Sequence, residues 1–187
     1  MIIGLLGKKG SGKDTVGNYI SKNYNGQCES FAKPLKDICK ILFLFNDEQL
    51  YGNLKEELDN YWKITPRHAF QYIGTELIRN KIKELIPNIG DNFWIKNMEK
   101  RLNDNDNDID NDNDNKKLII ITDVRFQNEV DFIKSKNGIV IKINRDNIIN
   151  DEHSSEKNID YIKNYDYIID NNDTFESLYL QIDSILS

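Results

Sequence analysis

The chain has 187 residues, a formal net charge of -6 and 39% hydrophobic residues. This length suffices for a single domain, 1–187, with a full hydrophobic core. The negative charge is local, because the six aspartates of one Asp/Asn-rich tract, 103–115, account for all of it. The balanced remainder excludes the basic surface expected of a nucleic-acid-binding protein.

No apolar run approaches the roughly 18 residues of a membrane-spanning helix, and the N-terminus lacks a charged-then-apolar leader. We therefore expect no membrane partner and a cytoplasmic protein. The two cysteines, Cys28 and Cys39, lack metal-ligand spacing and suit a reducing compartment. Cys39 lies in an apolar stretch and is interpreted as a small core residue rather than a nucleophile.

The first predicted elements are an apolar strand, 2–6, a glycine-rich loop, 7–15, and a helix, 14–23. The loop reads GKKGSGKDT and has the phosphate-binding spacing G-x-x-x-x-G-K. Its glycines allow a tight turn in which successive N–H groups point inward, and the following helix directs its partly positive end to the same point. Lys13 is placed to reach the terminal phosphates. The pattern predicts a nucleoside triphosphate site rather than a turn that merely starts a helix.

A magnesium ion is expected beside this loop, and three residues are candidate ligands. The position that usually supplies a hydroxyl is Asp14, and a hydroxyl follows at Thr15; a hard cation accepts either oxygen. Asp123 ends a second strongly apolar strand, 118–122, which should lie beside the first, and an acid there supports Mg²⁺ in P-loop proteins. The alternative is that Asp123 is a strand-ending acid that caps the next helix.

The next part of the chain predicts a largely helical region, 32–102. It follows a predicted strand at 27–31, and its own predicted elements are a helix at 33–45, a helix from Thr65-Pro66 to about Leu85 and a helix from Asp91 to Leu102. A threonine N-cap followed by proline is a strong helix start. The apolar stripe of the middle helix consists of Ala69, Phe70, Ile73 and Leu77.

A second face of the same helix carries Arg67, Gln71 and Gly74 at i, i+4 and i+7 spacing. It offers a guanidinium to a phosphate, an amide to a base edge and room for close approach. The alternative is a solvated helix face. Trp94, in the following helix, is interpreted either as a ring that stacks on a nucleobase or as an ordinary core tryptophan.

The C-terminal part alternates short strands with helices. The predicted strands are 118–122, 139–143 and 165–170, and the predicted helices are 127–136, 156–164 and 174–186. About five strands with crossover helices predict an α/β fold with a parallel, helix-covered sheet. Arg125 lies at the carboxyl edge of that sheet, where it either clamps a phosphate or pairs with Glu129 at i+4.

Two polar segments complete the organisation. Arg145 begins the segment 145–156, which is predicted to form a lid that places an arginine over the phosphates. His153 within it is interpreted as structural rather than catalytic. The tract 103–115 is predicted to be a mobile insertion, and it lacks the glycine and glutamate that an EF-hand calcium loop requires.

Taken together, several segments resemble the deoxynucleoside monophosphate kinases of phages and large DNA viruses. They are the phosphate loop 10–15, the turn 31–36, the substrate helix 67–79, Trp94 and the motifs 123–129 and 153–156. The resemblance covers nearly the whole chain outside 103–115. It implies a P-loop, nucleoside-monophosphate-kinase-like three-layer fold with a parallel sheet in the order 2-3-1-4-5.

The activity implied by the resemblance is ATP-dependent phosphorylation of a deoxynucleoside monophosphate with Mg²⁺, the acceptor being dTMP, dGMP or a dCMP type. On the ATP side the resemblance implies Lys9, Gly12, Lys13, Asp14 and Thr15. The loop motif adds Gly10 and Ser11, and the predicted lid adds Arg145. Residues implied on the acceptor side are Lys8, Arg67, Gln71, Trp94, Asp123 and Arg125. Those implied in catalysis are Lys13, Asp123, Arg125 and Arg145. The resemblance also allows a homodimer and, for a viral protein, places it in the host cytoplasm.

Three other functions compete with this one. Another small-molecule P-loop kinase, such as a dephospho-coenzyme A kinase-like enzyme, would share the loop. A regulatory GTP-binding switch should carry Asn-Lys-x-Asp after a later strand, whereas the chain reads KINRD at 142–146. A nucleotide-binding module without turnover is the third alternative.

Overall fold

The computed structural model describes residues 1–107, 117–146 and 158–187. The chain divides into two compact units, one formed by residues 1–30 with 103–187 and the other by residues 31–102. Most of the predicted insertion, and all of the predicted lid except Arg145 and Asp146, lie outside the described residues.

The first unit contains a parallel sheet of five strands. The strands are β1 Ile2–Leu6, β2 Gly26–Glu29, β3 Leu118–Val124, β4 Ile139–Asn144 and β5 Tyr167–Asp170. Their order is β2-β3-β1-β4-β5, which confirms the predicted α/β class and the implied strand order. Strand β1 is central and nearly all apolar because both of its faces are covered, as parallel sheets require.

The α-helices of the described chain fall in both units. In chain order they are α1 Lys13–Asn23, α2 Lys33–Phe43, α3 Asp47–Leu50, α4 Pro66–Gln71, α5 Phe93–Asn107, α6 Gln127–Ser135 and α7 Phe175–Leu186. Helices α1, α6 and α7 pack on the sheet of the first unit, whereas α2, α3 and α4 belong to the second unit.

Helices cover both faces of the sheet. Ile3 and Leu5 of β1 share a fully buried cluster with side chains of α1 and α7. Gly4 points to the other face, because successive residues of a strand alternate. A Cβ on Gly4 would lie only 2.4 Å from Cδ1 of Ile133 in α6. The absence of a side chain at Gly4 therefore lets α6 pack tightly against the sheet.

The second unit departs from the predicted single helix that begins at Thr65. Helix α4 is followed by a π-helical segment, Tyr72–Arg79, and a 3-10 turn, Ile82–Glu84. The wider π-helical turn changes the direction of every later side chain. Leu77, predicted to be buried, is therefore 38% exposed, whereas Gly74, predicted to lie on the open face, is buried.

Several predicted boundaries were wrong by a few residues. Strand β2 ends at Glu29, and α2 ends at Phe43 because Leu44 adopts a left-handed conformation with φ 56°. Helix α5 continues to Asn107, since an established helix gains one hydrogen bond for each residue it adds. Residues 103–107, the first part of the predicted insertion, are thus helical. In place of a helix at 156–164, the described residues show a 3-10 turn, Asn158–Tyr161.

The core prediction for Cys39 is confirmed, because its side chain is completely buried. Burial raises the pKa of the Cys39 thiol to about 11, which keeps it protonated and unreactive. No helix in the described ranges combines the length and apolar character needed to cross a membrane.

Candidate phosphate-transfer site

The loop after β1 has the conformation that its glycines predict. Gly10 and Gly12 have φ of 80° and 99°, which residues with side chains rarely adopt. The N–H of Ser11 donates to the carbonyl of Lys8 at 3.1 Å and closes a turn. The N–H of Val16 donates to the carbonyl of Gly12 at 3.0 Å, which is the first hydrogen bond of α1. Gly12 is the N-cap and provides no side chain for the first N–H groups of α1. These groups are therefore suited to bind an anion.

Lys13 is the central cation of this loop. Its side chain is largely buried, and its Nζ donates to the carbonyl oxygens of Gly7 at 2.6 Å and Lys8 at 2.8 Å. These bonds hold the ammonium group against the loop itself. The predicted site residues Lys8 to Thr15 are thus brought together by one turn and the start of one helix.

The residues that directly follow β4 and β5 donate to carbonyl groups of the same loop. Arg145 follows β4 and donates from Nη1 to the carbonyl of Gly10 at 3.2 Å. Asn171 follows β5 and donates from Nδ2 to the carbonyl of Ser11 at 2.9 Å. Sequence reasoning singled out Arg145 as a lid residue and missed Asn171, whose only signal was a polar Asn-Asn-Asp run at the end of a strand.

The residues present fit a chain of phosphates. Two left-handed glycines, an N-cap without a side chain and a buried lysine converge on one turn. Gly7 leaves room beneath the turn, since a Cβ there would lie 2.5 Å from Oγ of Ser11 and 2.9 Å from the carbonyl of Ile143. The arrangement combines main-chain donors with a cation, which is the chemistry that binds phosphate oxygens.

The candidate magnesium ligands differ in exposure. Asp14 is exposed at the start of α1, whereas Thr15 and Asp123 are half-buried. Within the described ranges, no group of three or more His, Cys, Asp or Glu side chains is arranged to hold a metal ion. A magnesium ion at this site would therefore take many of its ligands from phosphate oxygens and water.

Asp123 lies at an irregularity of strand β3. Gly4 pairs with Ile121 but Leu6 pairs with Val124, so β3 has one more residue than β1 over this stretch. Such a bulge redirects side chains and is frequent near active sites. Because parallel neighbours end at the same edge, Asp123 and the loop after β1 lie at one edge of the sheet.

Arg125 follows β3 at this edge. Its main-chain N–H donates to Oε2 of Glu129 at 2.8 Å, and the N–H of Phe126 donates to the same oxygen at 3.2 Å. Glu129 is buried and provides a carboxylate cap at the start of α6. The buried glutamate thus fixes the backbone from which the Arg125 side chain projects.

Lys8 has a partner that the sequence did not suggest. Its Nζ forms an ion pair with Oδ2 of Asp160 at 2.9 Å, and both side chains are partly exposed. Asp160 belongs to the 3-10 turn that follows the undescribed residues 147–157. Exposed pairs of this kind contribute about 0–1 kcal/mol, so a phosphate can replace the carboxylate at little cost.

The second unit holds the other predicted acceptor residues. Arg67, in the first turn of α4, donates from Nε to Oε1 of Glu56 at 2.9 Å. Gln71 is half-buried at the end of α4, where the π-helical segment begins. Glu56 is a second residue that sequence reasoning missed, because nothing in a sequence shows that it lies next to Arg67.

Trp94 is a core residue of the second unit. Its side chain is 5% exposed, and its indole N–H donates to the carbonyl of Gly74 at 3.0 Å. Gly74 is itself buried, since an added Cβ would lie 2.6 Å from Cδ2 of Leu35. Trp94 is therefore buried as the core interpretation expects, and its stacking on a nucleobase stays a prediction.

Comparison with known proteins agrees with these observations. The family model described as deoxynucleotide monophosphate kinase matches residues 44–182. A protein of Acanthamoeba polyphaga mimivirus named "Putative deoxynucleotide monophosphate kinase" is 43% identical over 186 residues, which cover 97% of this chain and 94% of that protein.

Solved structures show likeness of fold. A protein of Thermus thermophilus, TT1252, aligns with a TM-score of 0.54 at 13% identity over 100% of this chain and 96% of its own. The dephospho-CoA kinase of Campylobacter jejuni aligns with a TM-score of 0.50 at 17% identity over 99% and 94%. At these identities the likeness concerns the fold alone.

Proposed function

Since the chain belongs to the deoxynucleotide monophosphate kinase family and is a nucleoside monophosphate phosphotransferase, we propose that its donor is ATP and its acceptor is dTMP, dGMP or both, with a dCMP type as the further candidate. The reaction is ATP + dNMP → ADP + dNDP. The terminal P–O bond of ATP breaks, a new P–O bond forms to an oxygen of the acceptor phosphate, and ADP leaves.

The observation that carries the donor assignment is the loop 7–15. Its positive-φ glycines and the uncapped start of α1 present main-chain donors, and Lys13 adds a positive charge. This combination supports a triphosphate because each donor meets a different oxygen of the phosphate chain. ATP as the specific donor rests on the family resemblance.

The central obstacle in this reaction is repulsion between two anionic phosphates. The cations proposed to offset it are Lys8, Lys13, Arg125 and Arg145 of the first unit, and Arg67 of the second unit is proposed to bind the acceptor phosphate. Placed before reaction, such charges stabilise the transition state without reorganising. Holding both substrates in line contributes a further ~7–11 kcal/mol at most. The protein thus acts by positioning and by charge, since phosphoryl transfer needs no strong general base.

Magnesium is part of the proposal. Asp14, Thr15 and Asp123 would hold it, and its role would be to neutralise charge on the phosphate oxygens. Activity should therefore disappear with excess EDTA and return when Mg²⁺ is added. The enzyme would act in the cytoplasm, which for a virus is that of the host, and a homodimer is the proposed assembly.

Acceptor assignment is tested with a substrate panel. The purified protein is incubated with ATP, Mg²⁺ and one acceptor at a time, and ADP formation is followed. The acceptors are dTMP, dGMP, dCMP, dAMP, their ribose counterparts and dephospho-coenzyme A. Selective turnover of dTMP and dGMP supports the proposal. Turnover of dephospho-coenzyme A alone, or of no acceptor despite ATP binding, would contradict it.

The role of Lys13 is tested with one variant and a matched control in the same helix. Lys13→Ala removes the buried ammonium group and should lower kcat by at least ~10²-fold, the scale of losing one preorganised donor to a developing charge. Lys22→Ala removes an exposed lysine from the last turn of the same helix and should leave kcat unchanged. Turnover retained in Lys13→Ala, with a normal melting temperature in both variants, would refute the role of Lys13.

A further inference from the structure

Asn171 lies against the most constrained part of the phosphate loop. Its Nδ2 donates to the carbonyl of Ser11 at 2.9 Å, although the two residues are 160 positions apart in the sequence. A Cβ added to Gly12 would lie 2.2 Å from that same Nδ2 and 3.3 Å from Cγ of Asn171. The carboxamide therefore occupies the space that only a glycine at position 12 leaves open.

The backbone of Asn171 is itself fixed. Its N–H donates to the carbonyl of Asn144 at 2.8 Å, one position beyond the β4–β5 pairing of Asn144 with Asp170. The next residue, Asn172, accepts through Oδ1 from the N–H of Asp146 at 2.7 Å. The side chain of Asn171 is thus aimed from the rigid end of a paired strand.

The bond to Ser11 controls a peptide group rather than a single atom. The Ser11–Gly12 peptide is trans, so its carbonyl and N–H point in opposite directions. Because Asn171 holds the carbonyl outward, the N–H of Gly12 is held on the other side, where the concave turn presents its donors. Arg145 holds the carbonyl of Gly10 at 3.2 Å, so two consecutive peptides of the loop are bonded from the strand ends.

We infer that Asn171 is a positioning residue for the donor triphosphate, acting through the Ser11–Gly12 peptide rather than by touching the nucleotide. The inference rests on the proposed function in one respect, namely that this loop binds the phosphates of ATP. It predicts that Asn171 affects binding of the phosphate chain itself, independently of the nucleobase.

The test uses three variants of the full chain. Asn171→Ala removes the donor, and Asn171→Asp replaces it with an oxygen that repels the Ser11 carbonyl. Asn172→Asp is the matched control: it adds the same charge one residue away and keeps the oxygen that accepts from Asp146. Binding of inorganic tripolyphosphate and of ATP, each with Mg²⁺, is measured by calorimetry, and unfolding is measured without ligand.

We expect Asn171→Ala to weaken binding of both ligands by the same factor, about three- to tenfold, as for loss of one hydrogen bond. Asn171→Asp should weaken both further, and Asn172→Asp should change either by less than about twofold. Loss of ATP affinity with unchanged tripolyphosphate affinity would overturn the inference, since Asn171 would then touch the nucleoside. Unchanged affinity of Asn171→Ala for both ATP and tripolyphosphate, with a lower melting temperature, would overturn the inference and show that Asn171 acts only on stability.

The two proposals fail separately in this design. The affinities of the variants for ATP and tripolyphosphate could follow the expected order while the wild type phosphorylates no deoxynucleotide. That result would contradict the proposed function and support the role of Asn171. A wild-type protein that binds neither ligand would overturn both.

Discussion

The phosphate loop and the Arg67 helix hold their cations in different ways. In the loop, Lys13 is largely buried and bonded to two carbonyl groups of the loop, and further carbonyl groups are held from the strand ends. On α4, Arg67 is held by Glu56, whose side chain is 43% exposed. The loop is therefore built before a ligand arrives, whereas a phosphate bound by Nε of Arg67 would have to displace Glu56.

This difference follows from the groups involved. The hydrogen bonds to main-chain groups of the loop leave it few alternative conformations. The loop therefore loses little conformational entropy when it binds a ligand. An exposed ion pair contributes only about 0–1 kcal/mol and is readily exchanged. Substitutions in the loop should thus weaken binding by disrupting a preformed conformation. Substitutions around Arg67 should change binding by altering how strongly Glu56 competes with the phosphate for Arg67.

Gly12→Ala should have the largest effect. The new Cβ requires a left-handed alanine, costing about 1–2 kcal/mol, and it displaces Asn171 from its bond to Ser11. We expect ATP affinity to fall at least tenfold in calorimetric titrations. Gly90→Ala is the control, because Gly90 also has a positive φ but nothing lies within 4 Å of an added Cβ. Equal ATP affinity in the two variants would show that the loop is less rigid than the structure indicates.

Arg67→Ala should have an effect of the same order. Loss of charged hydrogen bonds to the acceptor phosphate, each contributing about 1.5–3 kcal/mol, should raise the dissociation constant of dTMP roughly 10- to 150-fold. Glu56→Gln removes the competing carboxylate and should tighten dTMP binding by up to about fivefold.

The Lys96–Glu99 pair of α5 provides the control for the competition between Glu56 and the acceptor phosphate. Glu99→Gln breaks another exposed ion pair of the second unit and should leave the dissociation constant of dTMP unchanged. Weaker dTMP binding in Glu56→Gln would contradict the exchange and indicate that Glu56 positions Arg67 instead.

Trp94→Phe separates the two interpretations of this residue. Removing the indole N–H leaves the buried Gly74 carbonyl without that donor and should cost about 1–3 kcal/mol of unfolding free energy. Trp62→Phe removes a similar bond, to the carbonyl of Phe43 at 2.7 Å, but at an exposed site where water replaces it. Urea denaturation should show the larger loss for Trp94→Phe. A changed KM for the acceptor at unchanged stability would indicate stacking instead.

Tyr24→Phe should have the smallest effect, and one that depends on pH. The bond that Tyr24 donates to Asp183 of α7 at 2.7 Å, together with burial, raises the pKa of the tyrosine from 10.0 to about 12. A raised folded-state pKa means that this contribution is complete below pH 10 and is lost as the pH rises towards 12. The stability difference between Tyr24→Phe and the wild type should therefore shrink over this range.

The control for that measurement is Tyr161→Phe, which removes a hydroxyl from a tyrosine that is 79% exposed. Its stability difference from the wild type should stay near zero across the same range. A Tyr24→Phe difference that is constant up to pH 12 would contradict the assigned bond between Tyr24, which directly follows α1, and Asp183 of α7.

Local sequence determined the loop and the sheet. Gly10 and Gly12 permit conformations that few other residues adopt, and the apolar runs 2–6 and 118–122 specify strands buried on both faces. These signals depend on neighbouring residues alone, which is why the phosphate loop and these strands could be predicted. The strand order was implied by the family resemblance and is confirmed by the structure. The resemblance in motifs 67–79 and 123–129 supplied the family, which the comparisons confirmed.

Only the tertiary structure decided which side chains complete these elements. Asn171 contacts Ser11 because β5 ends beside the loop. Glu56 contacts Arg67 from the end of a 3-10 turn, Asn53–Glu56. Gly74, in the π-helical segment, lies against Leu35 and accepts from the indole N–H of Trp94. Such contacts join distant parts of the chain, and their energies depend on distances that no local pattern of residues encodes.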